Sequence, residues 1–204
     1  MLTAGNFNLS QKKLPLMCRC ALFTALIAVG AFIKIPVPYF DYFTLQFFFV
    51  LLSGMVLGAK WGAASVLLYV AIGLLGLPVF AAGGGIGYVV RPSFGFLSAF
   101  IFTSWAVGLI CQGACRFRRF LLGAFVGFFI TYAIGLTYKY FILNFYTGEA
   151  IPFWLVLASA FPLDIPGDII LSLGAAFTGS RLKKLGIGAK SNEEIHWGHK
   201  GQNI

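Results

Sequence analysis

The chain has 204 residues, 59% hydrophobic and only 10% charged, and carries a net charge of +9. A water-facing surface normally needs about a quarter of a chain's residues charged, so a soluble globular enzyme, a disordered tail and a disulfide scaffold are excluded. A helical membrane protein remains, because barrel strands alternate apolar and polar residues over about ten positions and the run Phe47–Leu57 does not.

A bilayer-crossing helix needs about 20 mostly apolar residues. Such stretches are predicted over roughly 14–35, 44–59, 60–77, 94–115, 119–143 and 152–180, giving an all-α fold of six transmembrane helices. Little chain is left for a soluble unit. The expected organisation is one transmembrane domain over 1–190 and a polar cytoplasmic tail over 191–204.

Lys12 and Lys13 before the first span resemble the start of a secretory signal. The apolar run extends past Phe32, longer than the about 7–15 residues of a cleaved signal, so it is read as the first helix. Ala21 and Ala25 lie four apart on one face of it and permit close helix approach. That face suits packing within the molecule or docking on a partner membrane protein; spacing alone does not choose. Pro36 and Pro38 then forbid a regular helix, which makes 35–41 an outer loop or a re-entrant stretch.

The second span opens on Thr44-Leu45-Gln46. Gln46 is either an interfacial amide or a hydrogen-bonding group facing a cavity. Gly54, Gly58 and Gly62 follow at four-residue steps and predict tight packing around the turn near Lys60.

The loop from Gly76 to Gly95 holds Gly83, Gly84, Gly85 and Gly87, too many glycines for a stable helix. Such backbone can approach a ligand closely and offer its N–H groups. No Gly-Lys-Ser/Thr follows, so it is not a P-loop, and the spacing does not fit a dinucleotide fingerprint. A flexible connector is one reading. Val79, Phe80, Ile86, Tyr88 and Val89 are apolar for such a connector and favour a lid over a cavity.

In the sixth span, Pro162, Pro166 and Gly167 break the helix beside Asp164 and Asp168. Acids at membrane depth are costly and usually line a functional cavity. Asp168 is read as functional and Asp164 as a cap of the resumed helix.

The basic residues divide by side. Lys12, Lys13, Arg19, Lys60, Arg116, Arg118, Arg119, Arg181, Lys183, Lys184, Lys190 and Lys200 fall on one side; Lys34, Arg91 and Lys139 fall on the other. By the positive-inside rule both termini are cytoplasmic, in a multi-pass protein of the cytoplasmic membrane. The charge is thereby a topology signal rather than a nucleic-acid surface.

No enzyme is expected. His196 and His199 lie in the tail, and Asp164 and Asp168 share one helix with no facing aspartate for a dyad. Cys18, Cys20, Cys111 and Cys115 lack the companions a metal site needs, so they are read as small buried apolar residues with no metal. No second copy of the sixth-span break marks a coupled carrier. A small binding protein closed by a lid remains, with energy for uptake supplied by partners.

At this point the sequence resembles the BioY family. The resemblance is carried by Thr44-Leu45-Gln46 through Gly54, by Leu57-Gly58-Ala59-Lys60-Trp61-Gly62, by Gly76-Leu77-Pro78-Val79-Phe80-Ala81, by the glycine run to Gly87-Tyr88, and by Pro166-Gly167-Asp168. It implies the substrate-binding (S) component of an energy-coupling-factor (ECF) transporter, with a biotin pocket near the outer surface. It implies a transmembrane coupling protein and two ATPase subunits as partners, ATP being used only by them, and no cofactor here. It assigns Ala21 and Ala25 to docking on the coupling protein. Asp168 would accept from the ureido N–H groups, Tyr88 and Phe47 would flank the bicycle, and Gln46 and the backbone of Gly83, Gly84, Gly85 and Gly87 would meet polar ends. Asp164 joins this set on the same helix.

Two departures stand out. The family usually has a lysine three residues after the aspartate, where this chain has Leu171, and a glycine where it has Arg91. Either Arg91 partly replaces that lysine, beside Asp168 or at the valerate carboxylate, or it meets lipid headgroups at the surface. The alternatives in function are an S component for another small vitamin or biotin relative, and a non-transporting membrane assembly protein.

Overall fold

The structure is a computed structural model that describes residues 4–36, 42–114, 116–161 and 164–186, with the backbone alone for 4–13, 36 and 42. Asp41, Cys115, Pro162, Lys190 and the tail expected over 191–204 lie outside the described residues.

The elements run α1 (Ala4–Phe32), β1 (Lys34–Pro36), β2 (Tyr42–Thr44), α2 (Gln46–Leu57), α3 (Ala59–Leu74), α4 (Phe94–Cys111), α5 (Phe117–Phe141), α6 (Phe153–Ser159) and α7 (Asp164–Lys184). A 3-10 turn at Ile86–Val90 precedes α4, and a π turn at Ile142–Tyr146 prolongs α5. Leu14–Phe32, Phe94–Cys111 and Phe117–Tyr146 are long and apolar enough to cross a membrane. Helices α6 and α7 pass that test as a pair, and α2 and α3 are shorter apolar helices. The chain is an all-helical, multi-pass membrane protein.

Three expectations change. Helix α1 begins well before residue 14. The proline-bearing stretch after it opens on a strand that pairs with a second in a short antiparallel hairpin, Ile35 opposite Phe43. The sixth span is broken as expected into α6 and α7, but Pro166 and Gly167 do not form the break, since α7 starts at Asp164 and runs helical through both.

Small residues set how closely the helices meet. A single residue, Gly58, joins α2 to α3 at φ 79°, a conformation that favours glycine. A Cβ on Gly62 would lie 2.8 Å from the Gly54 Cα, and one on Gly54 would strike the Ser104 carbonyl of α4. One on Gly108 would strike the Ala59 backbone. At this contact the Ser53 and Ser104 hydroxyls hydrogen-bond at 2.8 Å, and Thr103 and Thr131 do the same at 2.7 Å between α4 and α5. Each pair satisfies hydroxyls that lipid or apolar side chains would leave without partners. Helix α1 joins through Thr24, whose hydroxyl donates to the Ser65 carbonyl at 3.0 Å.

The core formed by α1, α2, α3, α4, α5 and α7 includes Ile27, Val50, Leu51, Met55, Val66, Val107 and Phe120, all essentially inaccessible. Cys20 and Cys111 are buried as expected, whereas Cys18 is exposed on α1.

Replacing Gly108 by Val forces α3 and α4 apart. The expected loss is about 1–3 kcal/mol, the usual cost of overpacking. It is read as a lower unfolding midpoint in detergent, with Gly87→Ala, which has open space beside it, unchanged.

Candidate functional site

The cavity opens between α5, α7, the hairpin and the loop after α3. It is lined by Phe43 and Thr44 of the hairpin, Gln46 and Phe47 of α2, Ala81 and Tyr88 of the loop, and Ser93. Phe96, Leu97 and Phe100 of α4, Thr131, Tyr132 and Lys139 of α5, and Asp164 and Asp168 of α7 complete it. The space between these walls, together with the open mouth, is about 810 Å³.

Asp168 is held by α5. The Tyr132 hydroxyl donates to Asp168 Oδ2 at 2.8 Å. Tyr132 is in turn packed between Phe128, 4.5 Å away between ring centres, and Phe96, edge-on at 5.9 Å. Gly135 permits this, since a Cβ there would enter the Phe96 ring. Gly167 plays the same part on α7, where the Phe43 ring covers it. The Pro166-Gly167-Asp168 motif thus seats the hairpin against the turn of α7 that presents the carboxylate.

Gln46 is 3% exposed and lines the cavity, which selects the cavity-facing alternative. Its amide nitrogen has no hydrogen-bond partner among the described residues. The neighbouring Tyr69 hydroxyl donates to the Val79 carbonyl at 3.0 Å, which leaves its oxygen as an acceptor beside Gln46. The Ser93 hydroxyl is also without a partner. Two unmatched polar atoms beside two carboxylates and a lysine, against Phe47 and Phe100, suit a ligand with an apolar body and polar ends.

The loop after α3 is a lid with a fixed shape. Phe80 is 1% exposed and lies over Gly73, where a Cβ would collide with its ring. Its ring meets Tyr69 at 5.4 Å and Tyr88 at 4.6 Å. The Lys34 amine donates to the Ala81 carbonyl at 2.7 Å, and the Tyr138 hydroxyl to the Val89 carbonyl at 2.6 Å. Gly83 and Gly85 have φ of 115° and 103°, and a Cβ on Gly84 would strike the Leu77 carbonyl.

The glycines therefore shape the lid, and they are not among the lining residues. The Gly83 N–H donates to the Phe80 carbonyl in the lid and the Gly85 N–H to the Gly73 carbonyl of α3, so these two donors are occupied. Gly87 has open space beside it. Of the lid, Ala81 and Tyr88 face the cavity.

The structure brings together Gln46, Phe47, Tyr88, Asp164 and Asp168. It leaves Arg91 exposed, with its guanidinium over the Tyr88 ring at 5.2 Å and outside the lining set. Leu171 packs against the hydrophobic core instead of the cavity. Ala21 and Ala25 are exposed on α1, far from this site in sequence and on a face shared with Cys18 and Leu22. Sequence reasoning missed Tyr132 and Lys139. Their spacing of seven places both on one face of α5, a signal that becomes legible once α7 is known to be its neighbour.

Phe80→Ala empties the anchor of the lid. An expected loss of about 3–5 kcal/mol in local packing would show as faster proteolytic cleavage within 81–90 than in the wild type.

The BioY family model matches residues 6–187. The probable biotin transporter BioY of Lysinibacillus sphaericus is 38% identical over 179 residues, covering 87% of this chain and 91% of the relative. The biotin transporter BioY of Thermotoga maritima is 39% identical over 175 residues, covering 84% and 97%. The crystal structure of the S-component for biotin from an ECF-type ABC transporter matches with a TM-score of 0.66 at 28% identity, covering 85% of this chain and 93% of that one.

Proposed function

The chain belongs to the BioY family, and we propose that it captures biotin for uptake as the substrate-binding subunit of an ECF-type transporter. The observation that carries this reading is the Asp168–Tyr132 pair set into a cavity with aromatic walls.

Biotin's ureido ring has two N–H donors and one carbonyl, its bicycle is apolar and its tail is an anion. Tyr132 occupies one lobe of Asp168 Oδ2 and leaves the other lone pairs to accept the ureido N–H groups. The Gln46 amide nitrogen or the Ser93 hydroxyl then supplies the donor for the ureido carbonyl. Phe47, Phe100 and Tyr88 flank the bicycle, and Ala81 and Tyr88 close it from the lid.

The three long helices, the α6–α7 pair and the two shorter apolar helices together support six crossings. The charge distribution supports cytoplasmic termini in the cytoplasmic membrane, with residues 1–190 as one transmembrane domain and 191–204 as its tail. The exposed Ala21 and Ala25 suit close approach of a transmembrane coupling protein, with two ATPase subunits supplying the energy. The chain is a carrier subunit and performs no chemistry on its ligand. It uses no cofactor.

Leu171 favours one second reading. With the core taking that side chain, the cavity also suits a biotin relative, and competition by biotin precursors against labelled biotin ranks the two.

The test is saturable binding of labelled biotin to the detergent-purified protein. Asp168→Asn is expected to weaken it about 10- to 100-fold, as for loss of a charge-assisted hydrogen-bond acceptor. Tyr132→Phe is expected to weaken it by about tenfold at most, because the carboxylate stays but loses its orientation. A well-folded wild type that binds no biotin overturns the reading.

A further inference from the structure

The cations at the end of the bundle opposite the cavity follow a pattern that topology does not require. Arg118 and Arg119 stand in the first turn of α5, and Arg181 and Lys184 in the last turn of α7; all four are exposed. The acids among the described residues, Glu149, Asp164 and Asp168, lie at or beyond the cavity end of these two helices. The two cationic turns are held side by side. The Lys183 amine lies over the Phe120 ring of α5 at 5.9 Å and donates to the Cys111 carbonyl at 2.7 Å. The Cys111 thiol donates to the Arg119 carbonyl at 3.8 Å, and a Cβ on Gly179 of α7 would meet the Phe120 ring at 3.4 Å.

Each cationic pair ends an exposed apolar stripe. On α5, Leu122, Val126 and Phe129 are exposed and share a face with Arg118 at helical spacing. On α7, Ile170, Leu173 and Phe177 are exposed and lead along one face to Arg181 and Lys184. The Arg181 guanidinium lies over the Phe177 ring at 5.3 Å, so this cation stays against the stripe it ends. The positive-inside rule accounts for the side of the membrane on which such residues lie. It does not account for four of them ending exposed apolar stripes on two helices that touch. An acidic soluble protein would leave both stripes uncovered. A phospholipid carries the two parts in the same order, acyl chain along the stripe and phosphate at its cationic end.

We propose that the ends of α5 and α7 form a site for an anionic glycerophospholipid, its phosphate held by Arg118, Arg119, Arg181 and Lys184 and its acyl chains lying along the two stripes. Arginine suits this part because its fork donates two parallel N–H groups to phosphate oxygens. Lys60 is an exposed cation as well, but it stands on α3, which packs on α1, α2 and α4, and it lies outside the site. The site is independent of whatever ligand the cavity takes.

The experiment reconstitutes the full chain in phosphatidylcholine vesicles and measures, by electron spin resonance, the association of spin-labelled phosphatidylglycerol and of spin-labelled phosphatidylcholine. The wild type is expected to prefer phosphatidylglycerol by about fivefold, as for one cation's attraction to an anionic lipid surface. Arg118→Gln with Arg119→Gln, or Arg181→Gln with Lys184→Gln, is expected to lower that preference to about twofold or less. All four substitutions together are expected to abolish it, and Lys60→Gln to retain it, in samples with wild-type melting and elution. The two double variants decide alone if the fourfold variant does not fold. A wild type that associates equally with both lipids overturns the proposal. So does a preference that survives in both double variants. A preference that falls as much per removed charge in Lys60→Gln as in the double variants reports a diffuse field instead of a site and overturns it too. Displacement of the labelled phosphatidylglycerol by an equal concentration of soluble glycerol phosphate assigns the cations to a free phosphate and overturns the lipid assignment.

Discussion

A carboxylate among apolar helices must be matched by donors, and the hydrogen bond from Tyr132 to Asp168 is where the fold meets that demand. The bond fixes α5 against α7 at one level. The arrangement around it follows. Phe96 can brace Tyr132 only because Gly135 has no side chain, and Phe43 can approach α7 only because Gly167 has none. The hairpin, α4, α5 and α7 therefore converge on one pair of oxygens. Cavity walls rich in rings then leave a space into which Asp168, Asp164, Gln46, Ser93 and Lys139 bring polar groups.

The opposite end of the molecule is built for a different purpose. There Gly54, Gly58, Gly62 and Gly108 let α2, α3 and α4 touch along their backbones, and the Ser53–Ser104 hydroxyl pair locks the contact. Lys183 reaches across to the Cys111 carbonyl at 2.7 Å and ties α7 to the end of α4. Close backbone contact and interhelical hydrogen bonds are the available adhesives where lipid removes the hydrophobic drive between helices. A rigid base of this kind leaves the lid end free to be built from loops.

Much of this was legible in the residues. The glycines at 54, 58 and 62 announced tight packing, although the reason is a turn at Gly58 that sets Gly54 of α2 against Gly62 of α3. The carboxylates beside a broken helix announced a cavity, because burial of charge requires a reason. Gln46 could not be placed from its span alone, since an amide at a helix end suits an interface or a pocket equally; the structure puts it in the pocket. The lid glycines misled in detail. Backbone N–H groups look available in a sequence, yet those of Gly83 and Gly85 are spent on the Phe80 carbonyl and on the Gly73 carbonyl of α3. Tyr132 and Lys139 were invisible because their significance depends on α7 lying beside α5, a tertiary fact. Arg91 drew attention as a departure from the family pattern, although a departure marks a position and not its direction.

Helix α2 is only 12 residues long, about 18 Å, well short of a hydrocarbon core of about 30 Å. Yet ten of those 12 residues are buried by neighbouring helices, so α2 meets almost no lipid and has no thickness to match. Its ends are solvated by protein: Gly58 hydrogen-bonds back to Gly54, and Leu45 to the Ile33 carbonyl. The bilayer is instead gauged by α1, α4 and α5, whose outward faces carry Val29, Phe102 and Phe129. Hydrophobic mismatch in membranes of different acyl length will therefore be borne by that outer ring, leaving the helix that begins at Gln46, and the ligand cavity it borders, mechanically insulated from lipid composition.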